Sequence, residues 1–256
     1  MPSVTPKKKL GQHFLKDENI ALKITDSLTK RKNVLEIGPG TGVLTKYLLH
    51  QTENLKVVEV DPESVQFLKN IFPDLGPHIV EADFLKIDPS ALFHDQFSII
   101  GNFPYNISSQ IFFRIIGYRD RIPEVVGMVQ KEVALRLSAA PGNKTYGILT
   151  VILGAFYDIR YLFTVGEQVF YPPPKIKSAV IRLTRKENFK PDCDEKMFFK
   201  IVKTAFNQRR KTLKNSLKVF WTGRIDPDKF SIFTKRPEQL CLEEFFYLTN
   251  LLSEST

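Results

Sequence analysis

The segment Asn33-Val-Leu-Glu-Ile-Gly-Pro-Gly-Thr-Gly42 decides the fold class of this 256-residue chain. Its first five residues are typical of a buried strand, and its glycines form a tight turn that opens a helix predicted for Gly42–His50. A dinucleotide-binding fingerprint would need a third glycine at position 43, where Val43 stands. The segment therefore predicts the first strand, turn and helix of a nucleotide-binding sheet, and it disfavours a nicotinamide enzyme.

The alternation of short apolar runs with amphipathic segments continues to about residue 130. Further strands are predicted at Leu55–Val60, His78–Ala82, Phe97–Gly101 and Glu124–Val129, with a helix over Pro62–Ile71. Strands that are joined by helices indicate a parallel sheet with helices on both faces. The predicted fold class is α/β, and its ligand is expected at the carboxyl ends of the strands.

The sequence after this predicted sheet has a different pattern. A buried helix is predicted over Ile148–Tyr157, and strands over Ile159–Val165 and Ser178–Leu183. The connection between the two strands contains Tyr171-Pro-Pro-Pro174, which is stiff and lacks three backbone donors. A polar segment then marks a domain boundary. We expect a first domain over residues 1–189, with a basic N-terminal arm, and a small helical domain over residues 190–256.

The net charge of +9 is concentrated in two stretches that contain no acidic residue. The first sixteen residues carry four lysines, and residues 196–221 carry eight lysines and arginines, so the rest of the chain is net negative by three charges. A solvated helix face normally mixes both signs. The two stretches therefore predict surfaces that bind a polyanion, with a merely solubilising surface as the alternative. The residues predicted to contact the polyanion are Lys7, Lys8, Lys9, Arg209, Arg210, Lys211 and Lys214.

Two acidic residues follow predicted strands at the edge where the glycine-rich turn lies. Glu59 ends the second strand, and a carboxylate there can accept both ribose hydroxyls of an adenosine. Asp83 follows the third strand, where it can accept from the adenine amino group. Together with Gly38 and Gly40 these acids suit S-adenosylmethionine, because that molecule has no pyrophosphate that needs the helix N-terminus. Each residue alone is equally typical of a turn or a solvated surface.

The segment Asn102-Phe-Pro-Tyr105 follows the fourth predicted strand, at the same edge. An exocyclic adenine amine is a poor nucleophile because its lone pair is delocalised into the ring. Methyl transfer to it therefore depends on alignment and on acceptors for its hydrogens, rather than on a strong base. The side-chain oxygen of Asn102 and the carbonyl of Phe103 are candidate acceptors, and Tyr105 offers a ring on which an extruded base stacks. A plain turn with a core tyrosine is the alternative.

The composition disfavours several other classes of protein. No stretch approaches eighteen consecutive apolar residues, and no apolar segment follows the N-terminal lysines, so neither a membrane span nor a secretory signal is expected. Two cysteines, Cys193 and Cys241, and four scattered histidines disfavour a disulfide scaffold and a zinc site. We expect a cytoplasmic protein without a metal ion, and a monomer because nothing in the sequence suggests an obligate dimer.

These motifs resemble, in order and over nearly the whole chain, those of the ribosomal RNA adenine N6,N6-dimethyltransferase family, and most closely its bacterial small-subunit branch. The matching segments are Gly11–Leu15, Glu36–Gly42, Val58–Asp61, Glu81–Phe84, Asn102–Ser109, Gln130–Val133, Phe170–Lys175 and Ala205–Leu213. The resemblance implies a Rossmann-like S-adenosylmethionine-dependent methyltransferase sheet, mostly parallel with an antiparallel edge hairpin. It implies dimethylation of N6 on two adjacent adenosines near the 3′ end of 16S ribosomal RNA, in the immature small ribosomal subunit.

The resemblance also assigns residues to the two substrates by matched position. Asn102 and Tyr105 would hold the target adenine, and Phe170 would stack on its other face, although Phe170 taken alone is typical of a core residue. Three positions depart from the family pattern: His13 replaces a frequent Asn, Phe103 replaces a frequent Leu, and Lys177 replaces an acid. The residues that would line the donor site are His13, Leu15, Gly38, Gly40, Glu59, Asp83 and Asn102.

Two other functions share parts of this pattern. The 23S ribosomal RNA adenine methyltransferase of the macrolide-resistance type has the same fold and the same motif after the fourth strand. A non-catalytic ribosome-assembly factor would keep the RNA-binding surfaces and the donor pocket. The segments Phe170–Lys175 and Gln208–Leu213 favour the small-subunit branch, and the intact Asn102–Tyr105 motif favours catalysis. A DNA adenine methyltransferase is disfavoured because we find no separate target-recognition domain.

Overall fold

A computed structural model describes residues 4–187, 189–221 and 225–253 and divides the chain into two compact units. The first consists of Met1–Ala134 and Asp158–Arg185, and the second of Leu135–Tyr157 and Lys186–Thr256. This division differs from the boundary predicted between residues 189 and 190. The reason is that the helix over Ile148–Phe156 packs against helices of the C-terminal segment, so an internal stretch of the chain joins the second unit.

The first unit is organised around a seven-stranded sheet. Its strands are β2 (Asn33–Ile37), β3 (Asn54–Glu59), β4 (Ile79–Glu81), β5 (Ser98–Asn102), β6 (Glu124–Gln130), β7 (Tyr157–Val165) and β9 (Ser178–Arg185). Their spatial order is β4-β3-β2-β5-β6-β9-β7. Two short strands, β1 (Phe14–Leu15) and β8 (Phe170–Tyr171), form a separate antiparallel pair.

The directions of the strands confirm the predicted fold class. β2 pairs in parallel with both β3 and β5, β3 pairs in parallel with β4, and β5 pairs in parallel with β6. β9 then pairs antiparallel with β6, which places the antiparallel hairpin at the edge of the sheet. The strands predicted from apolar runs are all present. In β2, β5 and β6 nearly every residue is buried, as expected of parallel strands that are covered on both faces.

Helices connect the parallel strands and cover the sheet. Their starts follow local chemistry: α3 begins after Asp61, whose side chain accepts a hydrogen bond from the Glu63 N–H, with Pro62 in the first turn. The helices in chain order are α1 (Glu18–Asp26), α2 (Thr45–Gln51), α3 (Pro62–Ile71), α4 (Ser108–Gly117), α5 (Lys131–Leu137), α6 (Ile148–Phe156), α7 (Glu195–Asn207), α8 (Leu213–Ser216) and α9 (Leu242–Ser253).

The second unit is helical, as predicted for the C-terminal part of the chain. α6 is buried over almost its whole length and packs with α7 and α9. The apolar face of α7 contributes Phe198, Ile201 and Phe206 to this core, and the Phe206 ring stacks on that of Phe245 with 5.9 Å between centroids. The buried helix predicted over Ile148–Tyr157 is confirmed, except that it ends at Phe156 and Tyr157 begins β7.

The strand order reverses between β2 and β5, the point at which doubly wound sheets form a crevice. From β2 the chain proceeds outward to β3 and β4, then returns to β5 on the other side of β2. The turn after β2 and the segment after β5 therefore meet at one edge. This is the edge at which the sequence places its two motifs.

Candidate active site

A cleft lies at the carboxyl ends of β2, β3 and β5. Seven of the nine residues predicted to hold the donor or the adenine line this cleft: His13, Leu15, Gly38, Gly40, Glu59, Asn102 and Tyr105. The structure thus brings the glycine-rich turn, the N-terminal segment and the Asn102–Tyr105 motif to one cavity.

The turn after β2 adopts a backbone that favours glycine. Gly38 and Gly40 have φ angles of 66° and 56°, in the left-handed region. A Cβ atom added at Gly40 would lie 2.9 Å from ring atoms of Phe14, so the N-terminal segment packs directly on the turn. The absence of side chains at these positions leaves the backbone as the wall of the cleft.

Glu59 holds the turn while it lines the cleft. One carboxylate oxygen accepts from the Gly40 N–H at 3.1 Å, and the other accepts from the N–H groups of Val60 and Asp61, both at 2.9 Å. Burial raises the pKa of the Glu59 carboxyl, against these hydrogen bonds, which lower it. The oxygen bonded to Gly40 has accepting capacity left, as the predicted role toward ribose hydroxyls requires.

Glu36 is a second carboxyl in the same cleft, and sequence reasoning missed it as a site residue. Its side chain is 1% exposed, and the Thr45 hydroxyl donates to it at 2.7 Å. Burial, with Glu59 nearby, raises the pKa of the Glu36 carboxyl to about 8. The signal was present in the strand, since a glutamate within an apolar run is rarely buried without a partner. Two buried acids favour a ligand that carries positive charge.

The amide of Asn102 is oriented by the N-terminal segment. Its Nδ2 donates to the backbone carbonyl of His13 at 3.0 Å. Because the nitrogen is engaged in this way, Oδ1 remains as the acceptor that Asn102 offers to the cleft. The backbone carbonyl of His13 therefore contributes to the site by holding the Asn102 amide.

Phe103 fixes the motif to the sheet. Its N–H donates to the Met128 carbonyl on β6 at 3.0 Å, and its ring is completely buried. The ring lies against Gly101 of β5 and Gly127 of β6, which are register partners, so a Cβ atom at Gly127 would lie 2.6 Å from Phe103 Cε2. The two glycines thus make room for the ring that anchors the end of β5.

Tyr105 is held at its hydroxyl and on one face. The hydroxyl forms a hydrogen bond with Ser178 Oγ at the start of β9, and burial raises the pKa of the phenol. The His13 ring stacks on the Tyr105 ring with 5.4 Å between centroids, and His13 Nδ1 lies 2.7 Å from the Pro172 carbonyl oxygen. A base stacked on Tyr105 would therefore use the ring face that His13 leaves.

Two of the predicted site residues do not line the cleft. Phe170 is 1% exposed and packs in the core with Leu15, Val165 and other apolar side chains, so the structure supports the core reading and not a ring presented for stacking. Asp83 is half-buried in the turn after β4, where its Oδ1 accepts from the Leu85 N–H at 2.9 Å. Its carboxylate is engaged in the turn that it begins.

The cations predicted to bind RNA fall into two groups. Lys7 pairs with Asp61 and Glu63, Arg209 Nε lies 3.8 Å from Glu238, and Lys214 pairs with Asp228. The charges of these three side chains are partly neutralised within the chain. The other four predicted cations are exposed: Lys8, Lys9, Arg210 and Lys211.

Across residues 4–187, 189–221 and 225–253, no helix is both long enough and apolar enough to cross a membrane. Over the same described ranges, no three His, Cys, Asp or Glu side chains are grouped as metal ligands would be. Cys193 and Cys241 are free and half-buried, and burial raises the pKa of the Cys193 thiol to about 11. Cys193 is therefore protonated at neutral pH and is a poor nucleophile.

Comparison with known sequences supports the assignment of these motifs. The sequence profile of the family described as ribosomal RNA adenine dimethylase matches residues 4–234. The chain is 59% identical over 252 residues to the ribosomal RNA small subunit methyltransferase A of Parabacteroides distasonis, with 97% of this chain and 94% of that protein covered. It is 57% identical over 257 residues to the protein of the same name from Cytophaga hutchinsonii, with 99% of each chain covered.

Solved structures show the same fold. A dimethyladenosine transferase from Plasmodium falciparum superposes with a TM-score of 0.80 at 25% identity, covering 95% of this chain and 98% of that one. The 23S rRNA methyltransferase ErmE superposes with a TM-score of 0.68 at 25% identity, covering 93% and 99%. The predicted Rossmann-like methyltransferase fold is thereby confirmed, and the chain belongs to the ribosomal RNA adenine dimethylase family.

Proposed function

We propose that this protein transfers methyl groups from S-adenosylmethionine to N6 of two adjacent adenosines near the 3′ end of 16S ribosomal RNA, in the immature small ribosomal subunit. The observation that carries the proposal is the oriented Asn102 amide, which borders the same cleft as the glycine-rich turn and Glu59. An acceptor that suits the N6 hydrogens would thus lie in the same cleft as the residues proposed to bind the donor. The expected cytoplasmic location and monomeric state accompany this proposal as predictions.

The charge and the bare backbone of the cleft support S-adenosylmethionine as the donor. S-adenosylmethionine supplies an electrophilic methyl group on a positively charged sulfonium and also carries an ammonium group. Glu36 and Glu59 offer two buried carboxyls to such a cation, and the bare backbone at Gly38 and Gly40 permits close approach of the ligand. Glu59 would accept from the ribose hydroxyls, as the sequence predicts.

The chain's own residues account for the methyl transfer by positioning. Asn102 Oδ1 and the Phe103 carbonyl would accept the two N6 hydrogens, which directs the nitrogen lone pair out of the ring system. Tyr105 would stack on the extruded adenine and fix its plane. The proton that N6 loses passes to solvent after the transfer, so that no side chain needs to act as a strong base.

The choice of the small subunit rests on the relatives. Proteins named ribosomal RNA small subunit methyltransferase A align at 59% and 57% identity over nearly the full chain, whereas the 23S rRNA methyltransferase ErmE aligns at 25%. The segments Phe170–Lys175 and Gln208–Leu213 favour the same branch. We therefore place the large-subunit reaction second.

Transfer of labelled methyl groups to immature small and large subunits, followed by nucleoside analysis, tests the proposal. We expect N6,N6-dimethyladenosine in the small-subunit RNA. The same nucleoside found only in large-subunit RNA would place the protein in the resistance branch. Tight binding to small subunits without methylation would identify an assembly factor and contradict the proposed catalysis.

The pH dependence of donor binding follows from Glu36. Its pKa rises from 4.5 to about 8 on folding, so folding takes up a proton and this group's contribution to stability falls as pH rises from about 4.5 to about 8. A cationic donor favours the charged carboxylate and should therefore release a proton on binding below pH 8. We expect affinity for S-adenosylmethionine to increase as pH approaches 8.

Calorimetry in buffers with different heats of ionisation measures this proton release. Wild-type protein should release a substantial fraction of a proton at pH 7, and Glu36→Gln should release much less, with a flatter pH profile. If wild type and Glu36→Gln release equal numbers of protons on donor binding, the proton comes from another group such as Glu59, and the role given to Glu36 is contradicted.

The exposed and the paired cations of the second unit should differ in their contribution to RNA binding. We expect Arg210→Gln and Lys211→Gln each to reduce the slope of log affinity against log salt by roughly 0.7 to 0.9, the share of one phosphate contact. Lys214→Gln is the matched variant, because its ammonium pairs with Asp228 and should contribute less. Filter binding of small subunits over a salt series gives the slopes, and equal slopes for all three variants would refute the distinction.

A further inference from the structure

The two residues of β8 have opposite exposure. Phe170 is 1% exposed, whereas Tyr171 is 58% exposed. Successive side chains of a strand point to opposite faces, so the ring buried in the core and the ring that faces solvent are neighbours in sequence. The aromatic surface that this strand presents to a partner therefore belongs to Tyr171.

Tyr171 begins a segment that is attached at both ends to groups that contact Tyr105. We call residues 171–177 the proline segment. At its start, Pro172 O lies 2.7 Å from Nδ1 of His13, whose ring stacks on Tyr105. Immediately after its end, Ser178 Oγ forms a hydrogen bond with the Tyr105 hydroxyl. The proline segment is thus held beside the residue that would carry the target adenine.

The proline segment combines an aromatic ring with positive charge. Lys175 and Lys177 are exposed, and no acidic residue occurs between positions 168 and 186. The Lys177 carbonyl accepts from the Lys131 N–H at 2.9 Å, which fixes the backbone that carries these lysines. An exposed ring followed by cations is a combination that suits single-stranded nucleic acid, because bases stack on the ring and phosphates pair with the cations.

We propose that the proline segment binds the nucleotide next to the target adenosine, with Tyr171 stacked on its base and Lys175 and Lys177 at the adjoining phosphates. This inference rests on the proposed function and assigns part of its RNA contact. An adenine extruded onto Tyr105 leaves a neighbour without its stacking partner, and Tyr171 supplies a replacement surface. Lys177, which departs from the acid usual in the family, adds a phosphate contact in this chain.

Four variants test the inference in the full-length protein. In Tyr171→Ala the KM for immature small subunits should rise about tenfold or more, the loss expected for one base–aromatic stack, with kcat and donor affinity within twofold of wild type. Tyr171→Phe should restore the KM, because the phenyl ring still stacks. Lys175→Gln and Lys177→Gln should each reduce the salt slope by about 0.7, the value for one single-strand phosphate contact.

Lys69→Gln is the control variant. Lys69 is exposed near the end of α3, and α3 runs back from the carboxyl ends of the strands, so this lysine lies toward the opposite edge of the sheet. Its KM and salt slope should match those of the wild type. A short single-stranded RNA with 2-aminopurine next to the target adenosine reports stacking directly: its fluorescence should be quenched by wild type and Tyr171→Phe, and not by Tyr171→Ala.

The outcomes separate this inference from the proposed function. Suppose that the wild type is active and that Tyr171→Ala, Lys175→Gln and Lys177→Gln have the same KM and salt slope as Lys69→Gln. This result would overturn the inference and leave the proposed function intact. Loss of donor binding in Tyr171→Ala would also overturn it, since that result indicates a structural role. A wild type that methylates neither subunit would overturn the proposed function and the inference with it.

Discussion

Asn102→Ala is expected to lower kcat for methyl transfer by about 10²-fold or more, while the protein still binds immature small subunits. The Asn102 amide lines the cleft and donates through Nδ2 to the His13 carbonyl, which leaves Oδ1 as its acceptor. Without that acceptor the adenine N6 loses one of the two groups that orient it, and misplacement of a reacting atom by about 1 Å costs about 10²-fold in rate. Asn102 is only half-buried, so loss of one hydrogen bond should cost about 1 kcal/mol of stability.

Asn106→Ala is the matched control for this prediction. It makes the same chemical change four residues later, at an exposed side chain that is not among the residues lining the cleft. Single-turnover methylation of small subunits gives the rate, and sedimentation with subunits gives binding. A rate near that of wild type for Asn102→Ala would show that N6 is positioned by other groups. Loss of subunit binding in this variant would show that its defect precedes the chemistry.

The fold could be predicted from sequence because its signals are local. The five residues of β2, the glycine turn after it and the helix that follows are each determined by residues close in sequence, and short strands alternate with helices further along the chain. The carboxyl-edge position of the site follows from the parallel topology alone. This is why the sequence alone predicts that Glu59, Asn102 and Tyr105 lie at one edge of the sheet, where they line one cleft.

The remaining features depend on long-range contacts that no local pattern contains. In a strand of two residues, alternation cannot tell whether Phe170 or Tyr171 faces the core, because the pairing with β1 decides it. The ion pair of Lys7 with Asp61 joins residues 54 positions apart. Because such pairs neutralise cations, a charge count overestimates the number of cations that are open to RNA. The high pKa of Glu36 also depends on the fold, since it arises from burial of the carboxyl.

Phe103→Ala is expected to lower the free energy of unfolding by about 3–5 kcal/mol, the usual cost of removing a buried phenyl ring. The ring is completely buried between the paired glycines Gly101 and Gly127, and it meets the Phe112 ring edge-on at 5.8 Å. Phe103→Leu, which keeps most of the apolar volume and matches the residue frequent in the family, should lose less than half as much. Urea unfolding measures both, and equal losses would contradict the role given to the ring.

A double-mutant cycle tests whether the glycines exist to accommodate this ring. A Cβ at Gly127 would lie 2.6 Å from Phe103 Cε2, so Gly127→Ala should destabilise the wild type and cost much less in Phe103→Ala, where the ring is gone. A Cβ at Gly101 would instead lie 2.4 Å from the backbone oxygen of Ile37, which no side-chain change removes. Gly101→Ala should therefore destabilise both backgrounds to a similar degree. Additive effects of Gly127→Ala and Phe103→Ala would mean that the space beside Phe103 has another cause. Coupling at Gly127 together with additivity at Gly101 would show that the Phe103 ring fixes the end of β5. It would then also fix the backbone that carries Asn102 and Tyr105.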